Sequence, residues 1–162
     1  MEISSATIAP IGIIHSPFQV VDNMPIQPKG AAEVTGEVEI FPHYSEGLKD
    51  LEGFSHIYLI YQFHQARAER LQVKPFMDTV SRGVFATRAP VRPNHIGLSV
   101  VKLVAIEGNR ITVSGIDILD GTPLLDIKPY IEKFDHPGDS TSGWMSADAS
   151  DIRTKRSDDR FA

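Results

Sequence analysis

The segment 55–65 alternates two kinds of side chain with a period of two residues. Ile57, Leu59, Tyr61 and Phe63 share one side of an extended chain, and the opposite side mixes polar and apolar residues. Because successive side chains of a strand point to opposite faces of its sheet, one face packs into a core and the other meets a more polar environment. The pattern therefore predicts a β-strand with one buried face.

Several further segments have the composition of short strands, and helical signals are weak. Ser45 caps a short turn that ends at Gly53, and residues 127–134 form either another short helix or a loop. The turn at residues 107–109 joins two strands into a hairpin. Many short strands and few helices favour a mainly β fold, either a small barrel or a sandwich. The further predicted strands are residues 8–15, 36–41, 83–87, 97–106 and 110–119.

Length and composition exclude several classes of protein. A chain of 162 residues is long enough for one domain with its own core. It has no cysteine, which excludes disulfides and thiolate metal sites, and its six histidines have no metal-ligand spacing, so we expect no metal. The first 14 residues do not resemble a signal peptide, and no apolar run approaches the roughly 20 residues of a membrane span. We therefore expect a soluble, cytoplasmic protein with no membrane partner.

Positive charge is concentrated in one segment of an acidic chain. The net charge is −5, yet residues 66–93, called here the basic segment, contain six arginines and lysines against only Glu69 and Asp78. A basic region on an acidic protein is typical of a surface that binds one class of anion selectively. The alternative is a solvated loop with scattered arginines.

Three polar, turn-rich segments are candidates for the functional site. In residues 24–28, two prolines hold Gln27 on a rigid extended segment. Residues 86–97 carry Arg88 and Arg92 on a proline-stiffened loop, and guanidinium groups bind carboxylates or phosphates through two parallel hydrogen bonds. Residues 117–130 contain an Asp-Gly turn, which suits sugar hydroxyls or a purine edge. The structural alternatives are a stiff surface loop, a pair of salt bridges and a buried turn.

The sequence lacks the common nucleotide-binding and hydrolase motifs. It contains no GxSxG elbow, no P-loop and no GxGxxG loop, so the glycine-rich signature of Rossmann methyltransferases is absent. The residue pattern alone therefore indicates a β-rich domain with an anion-binding loop.

The same segments, in the same order, resemble the TrmO (TsaA-like) family of S-adenosylmethionine-dependent tRNA methyltransferases. The resemblance extends over roughly residues 8–130, and its length makes it specific. It implies a small closed or nearly closed β-barrel with a few short helices, not a Rossmann fold, that acts as a homodimer. The matching strings are PIGIIHSPF at 10–18, PIQP at 25–28, LEGFSHI at 51–57, FHQ at 63–65, GVFATR at 83–88, RPNHIGLS at 92–99 and DILDGTP at 117–123.

The resemblance also implies a cofactor, a substrate and a set of site residues. The cofactor is S-adenosylmethionine, and the substrate is N6 of threonylcarbamoyl-adenosine beside the anticodon of a threonine tRNA. Arg88 would pair with the methionyl carboxylate, Asp120 would hold ribose or adenine, and Leu98 would pack on the purine. Methyl transfer needs little acid–base help, and the candidates for a base are His64, Asn94 and Asp126. The implied cofactor-binding residues are Gln27, Pro28, His64, Gln65, Arg88, Leu98, Asp117, Leu119, Asp120, Gly121 and Thr122.

We expect residues 1–135 to form the cofactor-binding barrel and residues 136–162 to form a C-terminal tail. Bacterial members of the family carry a further domain after the barrel, whereas the tail here contains Trp144 and a short basic stretch. It either contacts tRNA or packs on the dimer partner. Two alternatives stay open for the function: a cofactor-binding sensor or adaptor without turnover, and a methyltransferase for a small molecule or another RNA.

Overall fold

Short strands dominate the structure, and most of them join into one closed sheet. The computed structural model describes residues 5–161. The strands in this range are β1 (Gly12–His15), β2 (Thr35–Ile40), β3 (His56–Gln62), β4 (Gln72–Val73), β5 (Arg82–Gly83), β6 (Ile96–Glu107), β7 (Arg110–Ser114) and β8 (Thr122–Pro129), followed by helices α1 (Glu132–Asp135) and α2 (Ala149–Thr154). Six strands pair antiparallel in the order β1–β2–β7–β6–β3–β8, and β8 pairs back to β1 to close a barrel.

The barrel interior is filled by the side chains that the alternating pattern points inward. Ile57, Leu59 and Tyr61 of β3 are buried, as predicted, and Phe63 packs against the same core. Tyr61 lies opposite Gly97 of β6, where a methyl group would overlap the tyrosine ring. The close packing of strand against aromatic ring therefore requires a glycine at this position.

Several predicted elements differ from the structure. The predicted strand 8–15 begins only at Gly12, the predicted strand 110–119 ends at Ser114, and Ser45 lies inside the 3-10 helix Pro42–Leu48 and does not cap it. The predicted strand 83–87 is wrong beyond Gly83, because residues Val84–Ala86 form a 3-10 turn. The prediction of a helix or loop at 127–134 is also wrong in part, because residues 127–129 complete β8 and α1 begins only at Glu132. Prolines at both ends of β8 conceal this strand in the sequence, although a proline is tolerated near a strand's ends.

The barrel has one end that carries long loops. Because all six strands are antiparallel, the segments after β1, β3 and β7 emerge at the same end of the barrel. These segments are residues 16–34, 63–95 and 115–121, and we call this side of the molecule the loop end. It therefore collects the predicted site segment 24–28 whole, the segment 86–97 up to the start of β6, and the turn that begins the segment 117–130.

The C-terminal tail lies on the loop end. Helix α2 packs against the 3-10 turn Pro28–Ala31, and Ser157 exchanges backbone hydrogen bonds with residues 23 and 24. The indole Nε1 of Trp144 donates to the carbonyl of Ala86 at 2.8 Å. The tail thus covers part of the segments that hold the predicted site. None of the helices in residues 5–161 has the length and apolar composition that crossing a bilayer requires.

Candidate functional site

Arg88 and Gln27, which are 61 positions apart in the chain, meet at the loop end. Arg88 Nη1 donates to Gln27 Oε1 at 2.8 Å. Gln27 is extended, with φ −150° and ψ 156°, and Pro28 then opens a 3-10 turn, so the proline fixes where the amide points. Among residues 5–161 the guanidinium has no carboxylate within 4 Å, so its charge is available to a ligand. The alternative of a structural salt bridge at Arg88 is therefore not what the structure shows.

A chain of hydrogen bonds connects the barrel core to Asp117. Ser99 Oγ donates to Asp117 Oδ1 at 2.7 Å, and Tyr61 Oη lies 3.1 Å from Ser99 Oγ. Since the hydrogen of Ser99 is used on the carboxylate, Tyr61 is the donor to Ser99. Burial raises the pKa of Tyr61 above its ordinary value, so this hydroxyl keeps its proton. The chain runs from a buried phenol through a buried hydroxyl to a carboxylate at the loop end.

The pKa of the Asp117 carboxyl lies closer to neutral pH than that of an ordinary aspartate. Burial raises the pKa of its carboxyl to about 6, although the hydrogen bond from Ser99 and the charge of Arg88 lower it. Arg88 and Asp117 both belong to segments at the loop end, and the positive charge of Arg88 is one of the influences that lower this pKa. Asp117 has no cationic side chain within 4 Å among residues 5–161. A positively charged ligand atom beside it would therefore meet a carboxylate that no salt bridge neutralises.

His64 approaches the turn that precedes β8. Its Nδ1 lies 3.3 Å from Thr122 Oγ1, and that hydroxyl donates its hydrogen to the carbonyl of Leu119 at 2.7 Å. The threonine can therefore only accept from His64, which places the imidazole hydrogen on Nδ1 and leaves the lone pair on Nε2. His64 is exposed, so Nε2 is open to a substrate. This tautomer is the form a general base requires.

Asp120 has a structural task in its own turn. Its carboxylate accepts from the backbone amide of Ser16 at 3.0 Å and lies 3.6 Å from Nδ1 of His15. The bond from Ser16 lowers the pKa of Asp120, with help from Gln19 and His15. The amides of residues 120 and 121 donate to the carbonyls of residues 18 and 14. These two turn amides are therefore already used within the protein and are not available to a ligand.

The other predicted residues occupy different surroundings. Leu98 is 48% exposed on the outer face of β6, where it pairs with Ile60. Asp126 also pairs with Ile60 on the outer face, and its carboxylate lies 3.4 Å from the ammonium of Lys128. Asn94 is exposed in a left-handed conformation with φ 65°. Pro28, Gln65, Leu119 and Gly121 lie in the loop-end segments without side-chain hydrogen bonds to the groups above.

The donor set suits an organic zwitterion better than a metal. Within the part of the chain that the structure describes, no group of three or more histidines and carboxylates is arranged to hold a metal ion. The three side chains described above offer a guanidinium without a carboxylate partner, a carboxylate with a raised pKa and an exposed imidazole. A ligand with a carboxylate at one position and a positive charge at another would match this set.

Comparison with known proteins identifies the family. The model described as the N-terminal domain of tRNA-methyltransferase O matches residues 13–136. This chain belongs to the tRNA-methyltransferase O family. A probable S-adenosyl-L-methionine-binding protein of Pyrococcus abyssi is 53% identical over 152 residues, which cover 94% of this chain and 83% of that protein. The predicted family membership is thereby confirmed.

Solved structures of TrmO confirm the predicted barrel. The crystal structure of TrmO from Pseudomonas aeruginosa is 42% identical with a TM-score of 0.74, over 90% of this chain and 64% of that one. The human tRNA (adenine(37)-N6)-methyltransferase is 38% identical, over 85% of this chain and 33% of that protein. This chain therefore spans less than two thirds of that bacterial TrmO and one third of the human enzyme.

Ser99 and Tyr61 were missed as candidate site residues. The sequence places Tyr61 on the buried face of its strand and Ser99 in the family-matching string at 92–99. It assigns neither residue to the site. A signal was present for Ser99, because it occupies an inward position of β6 between Gly97 and Val101, both buried. A hydroxyl at such a position needs a buried partner, and Asp117 provides it.

Proposed function

We propose that this protein binds S-adenosylmethionine at the loop end and transfers its methyl group to N6 of an adenosine in tRNA. The observation that carries the proposal is the pair of complementary charges, Arg88 without a carboxylate partner and Asp117 without a cationic one. The relatives named as S-adenosylmethionine-binding proteins and as tRNA (adenine(37)-N6)-methyltransferases support it. We further propose that the adenosine carries a threonylcarbamoyl group.

The two charged residues would orient the cofactor. Arg88 would hold the methionyl carboxylate, with Gln27 fixing the direction of the guanidinium. Asp117 would lie beside the positive sulfur, and Leu98 would cover the purine. S-adenosylmethionine supplies both the methyl group and its own leaving group, so the chain's part is to align the nitrogen and to exclude water. The remaining predicted contacts are Pro28, Gln65, Leu119, Asp120, Gly121 and Thr122.

Of the three candidates for a base, His64 fits the geometry best. Its Nε2 carries the lone pair, and the side chain is exposed at the loop end. Asp126 is occupied by Lys128 on the outer face, and the amide of Asn94 is a poor proton acceptor. We therefore assign to His64 the removal of the N6 proton, which makes a urea-like nitrogen more nucleophilic.

A transfer assay tests the function directly. Purified protein would be incubated with isotopically labelled S-adenosylmethionine and tRNA that carries threonylcarbamoyl-adenosine, and the nucleosides would be analysed by mass spectrometry. We expect the label on that nucleoside. Cofactor binding without transfer of the methyl group would contradict the proposed enzymatic activity and indicate a sensor. Transfer to tRNA that lacks the threonylcarbamoyl group would contradict the finer assignment only.

We also propose that the protein is a homodimer. Ile96 and Val104 leave apolar side chains exposed along β6, at 37% and 53% of their surface. An exposed apolar strip of this kind is typical of a protein–protein interface. Sedimentation at micromolar concentration should give twice the mass of one chain, 17.9 kDa. A monomer at that concentration would remove the dimer and leave the cofactor site unaffected.

A further inference from the structure

An open groove of about 870 Å³ lies between the basic segment and the C-terminal tail. One wall is formed by Lys74 and residues 76–79, and the other by residues 146–147, 151, 154–156 and 160. The two walls are joined, because Arg160 Nη1 donates to the carbonyl of Pro75 at 3.0 Å and Phe161 packs edge-on against Phe76. The groove is therefore a built feature of the fold that needs both segments.

The groove carries unneutralised positive charge. Lys74, Lys155 and Arg156 line it, and among residues 5–161 none of them lies within 4 Å of a carboxylate. Of the acidic lining residues, Asp78 is bound by Arg82 at 2.7 Å, and that bond lowers the pKa of the Asp78 carboxyl. Asp151 is the other acid of the lining. The free cations thus outnumber the free carboxylate, on a chain whose net charge is −5.

The groove adjoins the proposed cofactor site. Arg156 pairs with Pro25 in an isolated bridge, and the next residue donates its amide to the carbonyl of Met24 at 2.8 Å. Gln27, three residues after Met24, receives the hydrogen bond from Arg88. On the other side, Trp144 is anchored on Ala86, two residues before Arg88. The walls of the groove are therefore continuous with both members of the Arg88–Gln27 pair.

We propose that this groove binds the phosphate backbone of the RNA whose adenosine enters the cofactor site. The proposal rests on the function proposed above and adds where the substrate is held. Lysine and arginine side chains without acidic partners are the groups that contact phosphates, and such contacts position a nucleic acid without reading its bases. A concave groove suits a polynucleotide chain and does not suit a flat lipid surface. The tail, which lies after the family-matched residues 13–136, thereby supplies half of the substrate-binding surface.

The test measures RNA binding as a function of salt. The variant Lys74→Gln/Lys155→Gln/Arg156→Gln removes the three free cations while keeping the length of each side chain similar. A synthetic anticodon stem–loop RNA labelled with a fluorophore is titrated with protein at several salt concentrations. Each phosphate contact contributes about 0.7 to 0.9 to the slope of log affinity against log salt, so the slope should fall by about two units. Affinity at low salt should fall at least tenfold.

A matched control has the same loss of charge elsewhere. Lys49, Lys102 and Lys133 are exposed outside the groove, and Lys49→Gln/Lys102→Gln/Lys133→Gln should keep the wild-type slope to within one unit. Both variants should bind S-adenosylmethionine with wild-type affinity in calorimetry. Equal loss of RNA affinity in the two variants would overturn the proposal, since only total charge would matter. Wild-type RNA affinity in the groove variant, while the wild-type protein methylates tRNA, would overturn the groove and leave the function standing. Binding of anionic lipid vesicles in place of RNA would also overturn it.

Discussion

Ser99 Oγ donates a 2.7 Å hydrogen bond to Asp117 Oδ1, which joins a buried strand residue to the charged rim of the barrel. The bond favours the ionised carboxylate, whereas burial disfavours it, and the balance leaves the pKa of Asp117 at about 6. A small change in either influence therefore changes the charge of this residue near neutral pH. The proposed cofactor would be one such influence, because its sulfur is positive.

Removing the hydroxyl of Ser99 should weaken the cofactor site. In Ser99→Ala, Asp117 loses the donor that stabilises its ionised form, so its pKa rises further. We expect S-adenosylmethionine affinity at pH 7 to fall about tenfold and to recover in part at pH 8.5, because a bond to a charged group contributes about 1.5–3 kcal/mol. Calorimetric titration at the two pH values measures this.

The control for that experiment is Ser45→Ala. It removes a hydroxyl that lies outside the loop-end segments and bonds to the nearby carbonyl of Pro42. It should bind the cofactor as the wild type does at both pH values. Equal affinity of Ser99→Ala and wild type at pH 7 would mean that Asp117 does not face the ligand.

Replacing Arg88 should weaken both the cofactor and its demethylated product. Both ligands carry the same carboxylate, so Arg88→Ala should cost about 2–4 kcal/mol of affinity for each, as for a desolvated charge pair. Arg67→Ala serves as the control, since Arg67 is exposed and belongs to the same basic segment. Gln27→Ala should have a smaller effect, because the guanidinium charge remains. Wild-type affinity in Arg88→Ala would assign Arg88 to the RNA or to the fold.

A methyl group at position 97 should destabilise the barrel next to the site. In Gly97→Ala the new Cβ would overlap the Tyr61 ring, which is buried and cannot move freely. Overpacking of a core typically costs about 1–3 kcal/mol, and here the strand pairing would be disturbed as well. Gly47→Ala, where nothing lies within 4 Å of the added carbon, should unfold like the wild type. Chemical denaturation of the three proteins provides the comparison, and unchanged stability of Gly97→Ala would contradict the packing described.

The sequence predicts the barrel well wherever burial follows a period of two. The alternation in β3 gives its inward face correctly, and the hairpin of β6 and β7 follows from its turn, with Gly108 in a left-handed conformation. It fails for β8, because prolines at both ends conceal a strand that pairs with neighbours on both sides. Local propensity cannot show pairing between segments as far apart as β1 and β8.

The sequence predicts which segments carry the candidate site residues, but it does not predict which of those residues contact each other. The segments that carry Arg88 and Gln27 stand out in the sequence, but their contact depends on a barrel that brings residues 27 and 88 to one end. The burial that raises the pKa of Asp117 depends likewise on β6 lying beside residues 116–118. Long-range geometry of this kind requires the closed sheet. Asp120 shows the reverse case, since its turn is predictable while its commitment to Ser16 is not.

Asp117→Asn should have opposite effects on stability and on cofactor binding. Because the folded pKa is about 6 and the ordinary value is 3.8, the carboxyl contributes stability that is present below pH 3.8 and lost as the pH rises through 6. Asparagine has no ionisation to lose, and its carbonyl still accepts from Ser99. At pH 8 the variant should therefore be more stable than the wild type by on the order of 2 kcal/mol, and the difference should vanish below pH 4.

Cofactor affinity should change in the other direction, and the demethylated product provides the control. With Asp117 ionised, the wild type should bind S-adenosylmethionine more tightly as the pH rises from 5 to 7.5, whereas Asp117→Asn should show no such rise. Both affinity measurements are made with His64→Gln in the background, so that the imidazole is absent from both proteins. The product S-adenosylhomocysteine has an uncharged sulfur, so the substitution should change its affinity far less. An equal loss for both ligands would mean that Asp117 supports the shape of the pocket, and equal stability of the two proteins at pH 8 would mean that its carboxylate is solvated in the folded state.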